Sequence, residues 1–233
     1  MNMDLMLTFL ELGDATSRNL GFSHRDNVWV NYGEETITET NLMEIVRRHP
    51  QIVRISTFPK QTEAKNGADW EWHIVGSKRT LSMRVQAKRI QRNGALKVKH
   101  IVKSSGKKQR DLLIAGAKAE NMKPVYCIYC TEPQRTRWKT FQPKSGCWSF
   151  EMGCLLAGAE DVPDKTTKLN MIEKKCWPWH HLFSAGVPTQ RKPVMIRSIG
   201  GDLAYFFVTR YTGELLEADD SEDPLARIFQ TKG

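Results

Sequence analysis

No stretch of the chain approaches the ~18 consecutive apolar residues of a membrane span, so a membrane is not expected among its partners. The opening MNMDLMLTFLELGDATSRNL has no basic leading segment and carries Asp4, Glu11 and Asp14, so it is expected to form a helix and not a secretory signal. Without export, the five cysteines (Cys127, Cys130, Cys147, Cys154, Cys176) are an odd set of reduced thiols, and the expected location is the cytoplasm. There is no internal repeat, and no Gly-, Ser- or Pro-rich linker divides the chain.

Acidic residues are missing altogether between Lys78 and Arg110, a segment that holds twelve basic ones. The whole chain is +9, so the remainder, with 23 basic and 26 acidic residues, is slightly negative. All of the excess belongs to one segment, which suggests a polyanionic partner, nucleic acid before membrane. The opposite pole is Glu214 to Asp223, with six acidic residues and no basic one, read as a solvated cap.

What is present is ordinary globular material. The 233 residues, 40% hydrophobic and 26% charged, suit one elaborated domain or a core with an appendage. Leu5, Met6, Phe9, Leu10 and Leu12 predict an amphipathic helix over 3–19. Thr36 three residues before Glu39 has capping-box spacing and predicts a second helix over about 36–48. Ile52 to Phe58, Ala68 to Val75 and Thr80 to Ile90 read as strands. Gln109 to Asn121 reads as a helix, and the apolar VYCIYC as a buried central strand. The core order is therefore αβββαβ. Beyond it, Phe150 to Ala159 and Thr166 to Lys175 read as helices, CWPWHHLF as an aromatic loop, and Leu203 to Val208 as a strand.

Within GADWEW, strand alternation sends Ala68, Trp70 and Trp72 to one face and Asp69, Glu71 and His73 to the other. Within RVQAKR, Arg84, Gln86 and Lys88 share a face. If these strands pair, acid, amide and amine converge. A carboxylate with neighbouring oxygen ligands suits a hard cation such as Mg²⁺ or Mn²⁺, and an ammonium alongside suits the handling of an attacking water at phosphorus.

The order of elements, with GADWEW and RVQAKR on successive strands, resembles the PD-(D/E)xK restriction-endonuclease-like superfamily. VQAKR is especially similar to its Mrr-type members, which have Gln where most have Glu. Together with GEETIT, these tracts also resemble an uncharacterised bacterial family described as nuclease-like. The resemblance covers about residues 33–131. It implies a restriction-endonuclease-like α/β fold: an αβββαβ core with a central mixed sheet over 33–131, preceded by an N-terminal helix and loop (1–32) and followed by a C-terminal α+β elaboration packed on the core (132–233). It implies Asp69 as principal metal ligand, Gln86 as second ligand through its carbonyl oxygen, and Lys88 as the residue that positions water. The Ala87 backbone carbonyl would complete the shell. Members often add a Glu from the first core helix; Glu35, seven residues before Leu42, is preferred over Glu39, the expected capping partner of Thr36. Glu63 and Glu71 are further candidates to compensate the neutral Gln86, and Gln109 opens the next helix near the DNA.

The implied activity is Mg²⁺- or Mn²⁺-dependent endonuclease cleavage of DNA, with a role in defence against foreign DNA and a homodimer as the form that cuts both strands. Lys78, Arg84, Arg89, Arg92, Lys97, Lys99, Lys107 and Lys108 are the expected grip on the backbone. The alternative is a catalytically weak or inactive nucleic-acid-binding module on the nuclease fold; a third class is a dimeric scaffold. Blander readings stand beside these. Asp69 and Lys88 could form only a cross-strand ion pair, and the basic segment only a solvated face. Cys127 and Cys130 have zinc-pair spacing, but on an alternating strand they point to opposite faces and read as buried thiols. His180 and His181 belong to a structural loop, with base stacking by Trp177 or Trp179 unsupported.

Overall fold

The computed structural model describes residues 3–59, 67–76, 80–103, 105–131, 153–183 and 203–212. The first helix, α1 (Met3–Ser23), buries Leu5, Phe9, Leu12 and Leu20, one apolar row of a 3.6-residue period. The second, α2 (Glu34–Arg48), buries Ile37, Thr38, Asn41, Leu42 and Ile45. It starts two residues earlier than Thr36 suggests. Gly33 is the N-cap and makes no side-chain cap bond, so the Thr36–Glu39 capping box is not what begins this helix.

The strands β1 (Val53–Pro59), β2 (Trp70–Gly76) and β3 (Thr80–Arg89) follow, then β4 (Ala95–Leu96), α3 (Gln109–Ala119) and β5 (Lys123–Tyr129). The αβββαβ order is present. After it come β6 (Cys154–Gly158), β7 (Thr167–Lys168), the short α4 (Leu169–Ile172), β8 (Cys176–Pro178) and β9 (Leu203–Thr212), with 3-10 turns at Glu173–Lys175 and Trp179–Phe183. Residues 154–158 are thus a strand where a small-residue helix is expected. They pair antiparallel with β5, and all five are buried, so Ala and Gly serve close sheet packing. The helix expected over 166–175 is broken into strand, one α-turn and a 3-10 turn.

One mixed sheet of seven strands, ordered β1-β9-β2-β3-β5-β6-β8, organises the fold. β3 is antiparallel to β2 and parallel to β5. β9 runs between β1 and β2, parallel to the first and antiparallel to the second, so the C-terminal region supplies an inner strand. β4 and β7 form a separate two-stranded ladder.

Each face of the sheet has its own core. On one, Phe9, Ile37, Leu42, Trp70, Trp72, Val85, Ala87 and Cys127 pack under α1 and α2. On the other, Leu113 of α3 packs with Ala68, Ile90, Tyr126, Ile128, Leu155 and Ala157. The sheet is therefore covered on both faces, which explains why β5 reads as a continuous apolar run. Phe9, Trp72 and Trp179 form an aromatic cluster with centroids 4.7–6.3 Å apart, and the Trp179 indole N–H donates to the Phe9 carbonyl at 2.5 Å. Trp179 is a core residue and presents no stacking face. Cys127, Cys130, Cys154 and Cys176 are buried free thiols, and burial pushes Cys127, Cys154 and Cys176 well above the usual thiol range. Among the described residues, no helix is long and apolar enough to cross a membrane.

Candidate active site

Pairing of β2 with β3 sets Glu71 opposite Arg84 and Trp70 opposite Val85. One step beyond, the Asp69 N–H donates to the Val85 carbonyl at 2.9 Å, which carries Asp69 level with Gln86. The Asp69 side chain does not rely on strand pairing alone. Its Oδ2 accepts from the Ala87 N–H at 2.6 Å and from the Gln86 amide at 2.7 Å. Charge-assisted bonds of this length are strong, and here they fix the carboxylate at the mouth of the hairpin.

The approach of Asp69 to the sheet depends on Gly67. It has φ +69°, and a Cβ there would stand 2.5 Å from the Gln109 carbonyl oxygen and 2.9 Å from the Leu113 nitrogen. Only glycine combines that backbone with that contact. The first turn of α3 is thereby pressed against the start of β2.

Lys88 lies two residues beyond Gln86 on the same face and is buried. Its Nζ donates to Gln109 Oε1 at 3.2 Å and stands 4.0 Å from Glu34 Oε2. Gln109 and Glu34 are the first residues of α3 and α2. Two helix starts thus flank the ammonium, one with an amide oxygen and the other with a carboxylate. Glu34 Oε1 also accepts from the Arg89 backbone N–H at 2.9 Å, which ties α2 to the end of β3.

The helical acid at this site is therefore Glu34 rather than Glu35 or Glu39. With α2 beginning at Glu34, the row that faces the sheet is Glu34, Ile37, Thr38 and Asn41, while Glu35 and Glu39 are exposed. The signal was in the sequence, since GEE offers two adjacent acids; the seven-residue spacing to Leu42 favours Glu35, but the structure leaves Glu35 exposed and brings Glu34 to Lys88. Glu71 is buried in an ion pair with Arg84 at 2.5 Å, and Arg84 also reaches Glu120 at 2.9 Å. Burial opposes the Arg84 charge, but the bonds to Glu120 and Glu71 outweigh it and raise its pKa. Arg84 is thus a strut between β3 and the end of α3, unlike the backbone contact expected of it, and Glu71 is committed to it. Glu63 and Lys78 lie outside the described residues.

Among the remaining basic residues, Arg92, Lys97, Lys99 and Lys107 are exposed, whereas Lys108 pairs with Asp164. Arg89 is partly buried and donates to Tyr32 O and Asn31 Oδ1.

Whether these residues suit a divalent cation is testable on Gln86. Its amide nitrogen lies 2.7 Å from Asp69 Oδ2 and 3.3 Å from the Ala87 carbonyl, so one donor serves two oxygens. Its Oε1 is buried and has no hydrogen-bond partner. Leaving a buried amide oxygen unpaired costs ~1–3 kcal/mol. Turning the amide over would exchange the donor for that oxygen and offer carboxylate, amide and peptide oxygens at one corner, the donor type Mg²⁺ takes. The set fits a hard cation and is poor in charge. Among the described residues, no group of three or more Asp, Glu, His and Cys side chains is gathered for a metal.

A family model covers residues 11–222, and the chain belongs to that family, described as a family of unknown function (DUF6615). No curated protein matches the chain.

Proposed function

We propose that this member of the family is a nuclease that hydrolyses phosphodiester bonds in DNA with Mg²⁺ or Mn²⁺ as cofactor, on the pattern of the PD-(D/E)xK superfamily that its sequence resembles. The observation that carries the reading is the convergence of Asp69, Gln86 and the Ala87 carbonyl at one corner, with the Lys88 ammonium next on the same face. A surface ion pair between Asp69 and Lys88 would account for none of this, because Asp69 bonds to Gln86 and Ala87, and Lys88 to Gln109.

Asp69, Gln86 Oε1 and the Ala87 carbonyl would hold the cation. When bound, it would activate water and offset the charge that develops on the phosphorus centre. Lys88, held between Gln109 and Glu34, orients the attacking water or a phosphate oxygen, and its burial keeps the ammonium in one place. Gln109 fixes Lys88 from α3. Lys97, Lys99 and Lys107, exposed and following the same strand, attract the backbone by charge. A function in defence against foreign DNA, a homodimer and a cytoplasmic location accompany this reading.

A single carboxylate with two neutral oxygens favours one second reading: a nucleic-acid-binding module that keeps the fold and holds metal too weakly to cut. One assay separates them. Purified protein with Mg²⁺ or Mn²⁺ is offered plasmid and single-stranded DNA, beside Asp69→Ala and Lys88→Ala. Cleavage by the parent alone supports the nuclease; equal cleavage by all three refutes it; binding without cleavage by the parent points to the module.

A further inference from the structure

Beyond the end of β3, the loop between α1 and α2 borders an open cleft of about 360 Å³ lined in part by His24, Trp29, Val30, Asn31, Arg89 and Arg92. The volume is within the range of small-ligand sites. Its most unusual component is Trp29, which is 94% exposed, with Val30 beside it at 66%. An indole is ordinarily covered over most of its surface, and one left in water beside a cleft offers a bare π-face.

The cations around it are fixed without being neutralised. The Arg89 guanidinium donates to Tyr32 O and Asn31 Oδ1, both at 3.1 Å and both neutral. Arg92 donates to the Ser23 and Arg25 carbonyls, and its acidic partner among the described residues, Asp26 at 3.4 Å, is fully exposed, a weak pairing. The local field is positive: His24 is held below the usual imidazole range by burial and by the charges of Arg89 and Arg92. An exposed ring face among anchored cations is the combination that binds a base and its phosphate.

The cleft lies at the same end of β3 as the candidate active site, though none of that site's residues lines it. Arg89 follows Lys88 in the chain, and Glu34, which ends the same loop, bonds to the Arg89 N–H. Lys88 and Arg89 project to opposite faces of β3, Lys88 towards Gln109 and Arg89 towards Asn31 and Tyr32, so the cleft and the candidate site flank the end of one strand. A duplex keeps its bases stacked inside, where Trp29 cannot reach their faces.

We propose that this cleft takes one unpaired nucleotide of the DNA strand next to the Lys88 site, its base stacked on Trp29 and its phosphate held by Arg89 and Arg92. The position of the nucleotide relative to the cut rests on the nuclease reading; the binding itself does not. The substrate class it names is single-stranded or flap-containing DNA.

The test measures binding with cleavage removed, by fluorescence anisotropy in EDTA, using the full chain carrying Asp69→Ala, with labelled oligothymidine and a blunt DNA hairpin as probes. Adding Trp29→Ala is expected to weaken oligothymidine binding about tenfold, the size of one base stack, while leaving the salt slope unchanged because the phosphate contacts remain. Trp29→Phe should restore most of the loss, and hairpin binding should change less than about twofold on the same stacking argument. Trp29 is exposed, so neither variant threatens the fold. Oligothymidine affinity unchanged in Trp29→Ala, or equal losses on both probes, would overturn the proposal. A shift from dimer to monomer in Trp29→Ala at unchanged affinity would overturn it in favour of a second copy of the chain as occupant. Absence of metal-dependent cleavage beside Trp29-dependent binding would refute the nuclease reading and leave this one standing.

Discussion

The Gln86 amide and the Asp69 carboxylate meet at 2.7 Å across two strands, and the same amide nitrogen is shared with the Ala87 carbonyl. A neutral donor here joins two oxygens that would otherwise repel, so the site holds together without metal. It also limits the charge available to bind one.

Gln86→Glu should reverse that balance. Two carboxylates would face each other in a buried corner, and an uncompensated buried charge costs about 3 kcal/mol, which for a chain of this size lowers Tm by roughly 10 °C. Mg²⁺ or Mn²⁺ should recover most of the loss in Gln86→Glu and shift the parent much less. Thermal melts with and without the cation check this; an equal shift in both proteins would count against a metal at Gln86.

Gly67→Ala tests the placement of Asp69. A left-handed residue costs a non-glycine about 1–2 kcal/mol, and the forced contact with the first turn of α3 adds about 1–3. The expected result is a Tm lower by roughly 10 °C, with DNA cleavage lost before folding is. Denaturant unfolding and activity of the folded fraction separate the two effects.

Arg84 and the exposed lysines should behave oppositely. Removing Lys99 or Lys107 is expected to lower the slope of log affinity against log salt by about 0.7 each on single-stranded DNA and about 0.9 on duplex, with stability unchanged. Arg84→Met removes the arginine side of the buried Glu71 ion pair and should cost about 3–5 kcal/mol of stability, with no change in salt slope. Binding isotherms at several salt concentrations, beside melts, decide this.

Acid should destabilise the fold through His24 and His49. Burial holds both below the usual imidazole range; the charges of Arg89 and Arg92 add to it at His24, while at His49 Asp4 opposes and Arg48 assists. The unfolded chain therefore takes up these protons first, near pH 6.5 by the ordinary value, and stability falls as pH drops through that value towards the folded ones. Melts between about pH 7.5 and 5 should show a decline that is shallower in His49→Gln; an identical decline would exclude the assignment.

The parts of this fold that were legible in the sequence are those with a period. Alternation in RVQAKR placed Gln86 and Lys88 on one face, and in GADWEW it holds for Trp70 and Trp72, which pair with β3, whereas Ala68, expected beside them, packs in the opposite core. The continuous apolar run around Cys127 announced a strand covered on both faces. Illegible parts lacked a period or depended on distant partners. Residues 154–158 are small and apolar, which suits a helix as well as a strand, and only pairing with β5 decides between them. The insertion of β9 between β1 and β2 joins segments about 150 residues apart, which no local pattern encodes. Glu34 was missed because the seven-residue spacing to Leu42 pointed to Glu35, and Arg84 by counting its charge without its partners Glu71 and Glu120. Trp29 lies in DNVWVNY, where Val28, Val30 and Tyr32 give the sequence no reason to expect an exposed indole; its 94% exposure emerges only in the structure.

The central claim is most directly tested by the single-turnover rate of DNA cleavage in Mg²⁺ or Mn²⁺ for the parent and for Asp69→Asn, which keeps the shape and removes the charge. The predicted result is metal-dependent cleavage by the parent and a loss of at least about 10³-fold in the variant, the scale on which a single group that stabilises transition-state charge acts. Cleavage by Asp69→Asn at the parent's rate would contradict it.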